Sequence, residues 1–321
     1  MRIPWIILTG VLVLLAIGGA VWLSRLPGPD APGEDVADAA PQQPVLRIGL
    51  IPERDIFAQR ARYRALADYL AERLQRPVEL VTNNTYEGVL EDFASKRVDA
   101  AFLGSLVAVL AMDRHDARVV LKPELPGGVT TYRGVILVRP DSAIERVENL
   151  SGRSIAMVKA TTAGDLFPIF ELARQGLLAS AAPPEMVWVG THDGVMDEVM
   201  AGRVEAGAAK DLRLQAYEAE HPERRFRRLA VSDPVPNNAL VLREAVADEL
   251  GPKLAAILLG MDADPAGRRT LTEFGAVRFV PCSAGEYEAI YAMVEELGER
   301  WSALGVSGPA PERKSAARGA D

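Results

Sequence analysis

Two stretches, TYEGVLEDFASKRVDAAFLG at residues 85–104 and THDGVMDEVMAGRVEAGAAK at 191–210, align without a gap at an offset of 106 residues. Threonine, glycine, valine, arginine, valine and alanine coincide, leucine faces methionine, and acids face acids at four further positions. Two amphipathic helices can agree by chance, but the shared glycine and the shared Arg-Val-[Asp/Glu]-Ala ending favour a duplication. A short β-rich run precedes each copy, VELVT at 78–82 and MVWVG at 186–190. Further upstream, RIGLI (47–51) and SIAMV (154–158) lie at nearly the same offset. Each leads into a segment of helical period, RYRALADYLAERL (62–74) and LFPIFELARQGL (166–177). Strands that alternate with helices argue for α/β lobes built on mainly parallel sheets.

Two long apolar strands, YRGVILVR (132–139) and NNALVLR (237–243), flank the second copy. They read as crossings: the chain leaves one lobe, builds a second and returns. The helical segments at 245–261, 266–274 and 284–301 then complete the first lobe. The expected organisation is lobe 1 from residues 45–134 plus 236–300, lobe 2 from 135–235, and a polar tail over 301–321.

Outside this body the composition changes. Residues 3–23, IPWIILTGVLVLLAIGGAVWL, carry no charge, and about 20 apolar residues span a bilayer as a helix. A cleaved signal has a shorter apolar core, roughly 7–15 residues. The expectation is therefore a retained membrane anchor over 1–25, with Gly18-Gly19-Ala20 as the cleavage site of the alternative. Residues 26–44, rich in proline, alanine and acid, read as an extended spacer. The body would then stand on the extracytoplasmic side, tethered to the inner membrane, or free in the periplasm if the segment is cut.

The net charge of −8 argues against a nucleic-acid partner, which calls for a basic surface. The single cysteine, Cys282, rules out an internal disulfide and a cysteine-rich metal site. It reads as a small buried hydrophobe. There are three histidines and no HExxH, GxSxG or GxxxxGK[ST] pattern. No catalytic residue, cofactor or metal is expected.

In parallel α/β sheets ligands bind beyond the carboxyl ends of the strands. Five such ends carry polar or very small residues: Asn84-Thr85-Tyr86, Gly104-Ser105, Thr161-Thr162-Ala163-Gly164, Thr191-His192-Asp193 and Lys210-Asp211. Each falls where a helix begins. A helix start presents free N–H groups and partial positive charge, which hold anions. Each junction alone reads more simply as an ordinary N-cap. Five on facing ends of two lobes read as one shared anion site.

These residues resemble the phosphonate-, phosphite- and phosphate-binding proteins of ABC importers, which have the type 2 periplasmic binding protein fold. The similarity runs through RIGLIPE, RYRALADYLAERLQRPVELV, TYEGVLEDFASKRVDAAFLGSLVAV, the TTAG and GTHD junctions and SDPVPNNALVLRE. It implies a tetrahedral phosphorus oxyanion held between the lobes and an ABC permease as partner. By resemblance Thr161, Thr162 and the N–H groups of Ala163 and Gly164 hold the anion. Tyr86, Tyr132, His192, Asp211 and Ser105 match further site positions. Ala163 stands in place of a serine and removes one hydroxyl. Asn238 stands where phosphonate binders often carry an aspartate that pairs with a substrate ammonium. An aminoalkylphosphonate is thus disfavoured against phosphite, phosphate or a neutral-tailed phosphonate. The rival reading is a membrane-tethered sensory module that uses the same closure.

Overall fold

The computed structural model describes residues 43–52, 56–305 and 308–312. The expected anchor, and all but the last two residues of the spacer, lie outside the described residues. Among the described residues no helix is long and apolar enough to cross a membrane.

In chain order the strands are β1 (Leu46–Leu50), β2 (Val78–Thr82), β3 (Ala100–Leu103), β4 (Arg118–Glu124), β5 (Thr131–Tyr132), β6 (Gly134–Val138) and β7 (Ser154–Met157). They continue as β8 (Glu185–Trp188), β9 (Ala206–Lys210), β10 (Arg227–Val231), β11 (Val235–Pro236), β12 (Ala239–Leu242) and β13 (Arg278–Pro281). The helices are α1 (Ile56–Leu74), α2 (Tyr86–Ala94), α3 (Ser105–His115), α4 (Phe167–Arg174) and α5 (His192–Met200). After them come α6 (Asp211–Glu220), α7 (Glu244–Leu259), α8 (Pro265–Phe274) and α9 (Glu288–Leu297).

The first sheet runs β13-β4-β12-β3-β1-β2 and the second β10-β6-β9-β7-β8. The α/β architecture is the expected one, but the sheets are mixed. β12 enters antiparallel between β3 and β4, and β6 antiparallel between β9 and β10. The two segments read as crossings are thus interior strands, and GVILV and ALVL are apolar at every position because both faces are buried. The passage itself is the ribbon β5–β11, in which Tyr132 pairs with Val235 and Thr131 with Pro236.

The duplicated motif has a local cause. Thr85 Oγ1 accepts the N–H of Gly88 at 3.0 Å, and Thr191 Oγ1 accepts that of Gly194 at 3.1 Å. Each pair caps a nine-residue helix, α2 or α5. The threonine and glycine that coincide in sequence therefore do the same work in space. At Gly88 a Cβ would lie 2.1 Å from the Asn83 side chain, so any larger residue there would force Asn83 to shift.

One hydrophobic cluster takes residues from both sheets, including Leu106, Tyr132, Ile136, Phe167, Ile290 and Trp301. Helix α9 packs on α3 and on α4 within it. The stretch assigned to a polar tail is not all polar in its contacts: Trp301 and Leu304 are buried. Trp301 Nε1 donates to the Gly308 carbonyl at 3.0 Å, and the N–H of Gly305 reaches the Asp165 carboxylate at 3.1 Å. Arg114 donates to the Pro309 carbonyl. The apolar pair Trp301 and Leu304, three residues apart, continues the buried face of α9 and holds this segment down.

Candidate functional site

All five polar junctions begin helices, at Tyr86, Ser105, Thr162, His192 and Asp211. They surround a cleft of about 990 Å3 between the two sheets. Among the expected residues, Tyr86, Tyr132, Thr161, Thr162, His192 and Asn238 line it. Ser105, Ala163, Gly164 and Asp211 do not.

The TTAG junction starts with a single π turn over Thr162–Leu166, which runs into α4. Such turns recur at functional sites. Ala160, just before it, has φ 56°, the left-handed region that a non-glycine residue enters only when its surroundings hold it there. The buried Asp165 carboxylate does this by accepting the N–H of Ala160 at 2.8 Å. Thr161 Oγ1 donates to the Val158 carbonyl at 2.9 Å and accepts the N–H of Gly164 at 3.0 Å. Its proton and the Gly164 N–H are both spent inside the loop, so the expected donation by these two groups to an anion is not available in this arrangement. Ala163 is buried and packs its Cα near Gly134, where a Cβ would lie 3.2 Å from it.

Thr162 points the other way. Its Oγ1, on the second sheet's side, accepts the N–H of Leu106 at 2.9 Å, in the first turn of α3. The Tyr132 phenol, from the ribbon, lies beside the side chains of Ser105 and Thr162 and the Ser105 backbone. Burial pushes that phenol up, and the polar groups of Ser105 and Thr162 work against it. Ser105 Oγ donates its proton to the Pro236 carbonyl at 2.6 Å. It ties α3 to the crossing ribbon as a strut and has only lone pairs left for other partners. Three hydroxyls and the first N–H groups of α3 thus meet where the two sheets and the ribbon come together.

His192 opens α5 and is buried, and among the described residues its Nδ1 has no hydrogen-bond partner. Burial drives its pKa from 6.5 down to about 3; the Lys210 cation adds to this and Asp193 opposes it. The ring is therefore neutral, with one nitrogen able to donate. Asp193 beside it is gripped by Arg213, with Nη2 at 2.7 Å from Oδ2 and Nε at 3.1 Å from Oδ1. Asp211 accepts the N–H of Arg133 at 2.9 Å and of Leu212 at 2.7 Å. It fastens β9 to the crossing backbone, outside the cleft lining.

Lys210 and Arg213 were not singled out as site residues, yet both line the cleft, with Gln59, Arg62 and Asn237. Lys210 ends β9 and belongs to a junction the sequence had flagged. Strand alternation alone did not say which of Lys210 and Asp211 turns inward. Arg213 gave no signal, because its partner Asp193 lies on another helix.

The family model for the periplasmic substrate-binding protein of phosphonate ABC transporters matches residues 48–287. The phosphate-import protein PhnD of Mycolicibacterium smegmatis is 25% identical over 271 residues, covering 80% of this chain and 82% of its own. A binding-protein component of an ABC phosphonate transporter from Pseudomonas aeruginosa superposes with TM-score 0.70 at 18% identity, over 79% of this chain and 87% of that one. PhnD1 of Prochlorococcus marinus, solved with methylphosphonate, gives TM-score 0.68 at 19% identity, over 79% and 98%.

Proposed function

The chain belongs to the family of periplasmic substrate-binding proteins of phosphonate ABC transporters, and from that premise we propose that it captures a phosphorus oxyanion between its two lobes. The ligand is a phosphonate, phosphite or phosphate. The observation that carries the reading is the meeting of Thr162, Tyr132 and the start of α3. There a buried hydroxyl of one lobe already occupies the N–H of a helix start on the other. An oxyanion takes the place of that neutral acceptor and gains more from it, since hydrogen bonds to charged groups contribute about 1.5–3 kcal/mol against about 1 for neutral ones. The α3 dipole adds partial positive charge at the same point. The neutral His192 offers a further donor from the far wall.

The β5–β11 ribbon is the natural hinge, because the chain passes between the lobes there on two short strands. Closure around the anion presents both lobes together to a permease. No covalent step is needed. Residues 3–23 tether the body to the membrane, because the uncharged run is longer than the core of a cleaved signal. N-terminal sequencing of the mature protein that starts near Val21 would overturn the tether.

Isothermal calorimetry on the whole chain with phosphate, phosphite, methylphosphonate and sulfate tests the ligand class. Binding of at least one phosphorus oxyanion, and its loss in Tyr132→Phe combined with Thr162→Val, is expected. Absence of binding across the phosphorus compounds refutes the reading.

A further inference from the structure

Ala160, Thr161 and Thr162 follow one another along the wall of the cleft. The direction in which Thr162 leaves that wall is set by the turn just before it. The turn is made at Ala160, whose φ is 56°. The left-handed region costs a residue with a Cβ roughly 5- to 30-fold in population. A glycine would enter it freely, and an alanine does not. The conformation is imposed by Asp165, which is 0% exposed and is not among the residues lining the cleft.

Asp165 grips the turn at two points. Its Oδ2 accepts the N–H of Ala160 at 2.8 Å, and its own N–H donates to the Thr161 carbonyl at 3.0 Å. The carboxyl group is held from its other side by the N–H of Gly305, 3.1 Å from both oxygens. Gly305 follows the buried Trp301 and Leu304, and a Cβ on it would come within 2.7 Å of Lys159 and 3.0 Å of the Trp188 ring. An apolar side chain would fill the same space without the cost of burying a carboxyl group. What the carboxyl group adds is an acceptor for two N–H groups, and one of them fixes the turn.

We infer, on the reading of this cleft as a phosphorus-oxyanion site, that Asp165 is a positioning residue for the ligand, which holds Ala160 in the left-handed conformation and so presents Thr162 to the oxyanion without touching it. The Gly305 N–H orients the carboxyl group for that task. Without the acceptor, Ala160 relaxes towards negative φ and the Thr161–Thr162 peptide turns away from the cleft. A glycine at position 160 makes the acceptor dispensable, because it adopts positive φ unaided.

The test is calorimetry with phosphate and methylphosphonate on the whole chain, well below the Tm of each variant. Asp165→Leu and Asp165→Asn are each compared with and without Ala160→Gly. Asp165→Leu keeps a side chain of similar size and removes the acceptor, so both ligands should bind about 5- to 30-fold more weakly. Asp165→Asn keeps one acceptor oxygen and should fall between that variant and the wild type. Adding Ala160→Gly to either should recover most of the lost affinity, which a side chain that only filled space would not allow. Should Asp165→Leu fail to fold, the Asp165→Asn pair decides on the same two criteria, loss and recovery. Wild-type affinity in the acceptor variant, or a loss that Ala160→Gly leaves in place, overturns the positioning role and leaves the oxyanion site standing. Absence of binding by the wild-type chain overturns the site reading and this inference with it.

Discussion

Replacing Thr162 with valine removes one hydroxyl from the centre of the cleft and keeps a branched side chain of similar size. Thr162 is 1% exposed, and its Oγ1 accepts the N–H of Leu106 at 2.9 Å. A hydroxyl has one proton and two lone pairs, so that bond leaves the proton free to donate to an acceptor in the cleft. Two losses follow. In the empty protein the Leu106 N–H is left buried without its acceptor, at a cost of about 1–3 kcal/mol in stability. In the liganded protein a donor to a charged acceptor is missing, about 1.5–3 kcal/mol, or roughly 10- to 150-fold in affinity. Thr161→Val is the matched comparison. The Thr161 hydroxyl donates to Val158 and accepts from Gly164 within one loop. Its loss should cost about 0.5–2 kcal/mol of stability, as for a helix cap, with little change in affinity. Thermal unfolding and calorimetry with phosphate and methylphosphonate, run on both variants, separate the two roles. Wild-type affinity in Thr162→Val, or a greater affinity loss in Thr161→Val, refutes the assignment.

Three further outcomes are expected. His192 titrates at about 3 in the fold against 6.5 as a free group, so its contribution to stability is present above pH 6.5 and is lost as pH falls from 6.5 towards 3. His192→Gln should flatten the decline of Tm over that window, and an unchanged slope would contradict the buried neutral ring. Asp165 works in the opposite sense: burial raises it from 3.8 to about 7, so its contribution is present below 3.8 and is lost as pH rises through about 7. Asp165→Asn should remove that rise-side loss, leave the His192 decline unopposed, and speed hydrogen exchange at Gly305, whose N–H it holds; protection retained at Gly305 would refute the contact. Gly134→Ala should destabilise by about 1–3 kcal/mol, because a Cβ there would come within 2.7 Å of the Phe167 ring and 3.2 Å of the Ala163 Cα; a wild-type Tm would count against that packing.

The α/β class, the order of strands and helices, and the five helix starts were legible in the sequence because each depends on neighbours a few residues away. Thr85 with Gly88, Thr161 with Gly164 and Thr191 with Gly194 are caps closed across three residues, so spacing alone reveals them. Apolar period and small residues at strand ends did the rest. What the caps leave free was not legible. Ser105 finds its acceptor 131 residues away at Pro236, and Thr162 its donor 56 residues away at Leu106. Those two bonds decide which hydroxyl is a strut and which can face a ligand. The same holds for the antiparallel entry of β6 and β12, for the burial of Trp301, and for the inward turn of Lys210 against Asn237. A hydroxyl or ammonium carries the same donors wherever it stands in the sequence. Only the packing of two sheets and a ribbon around one point determines which of those donors are already used.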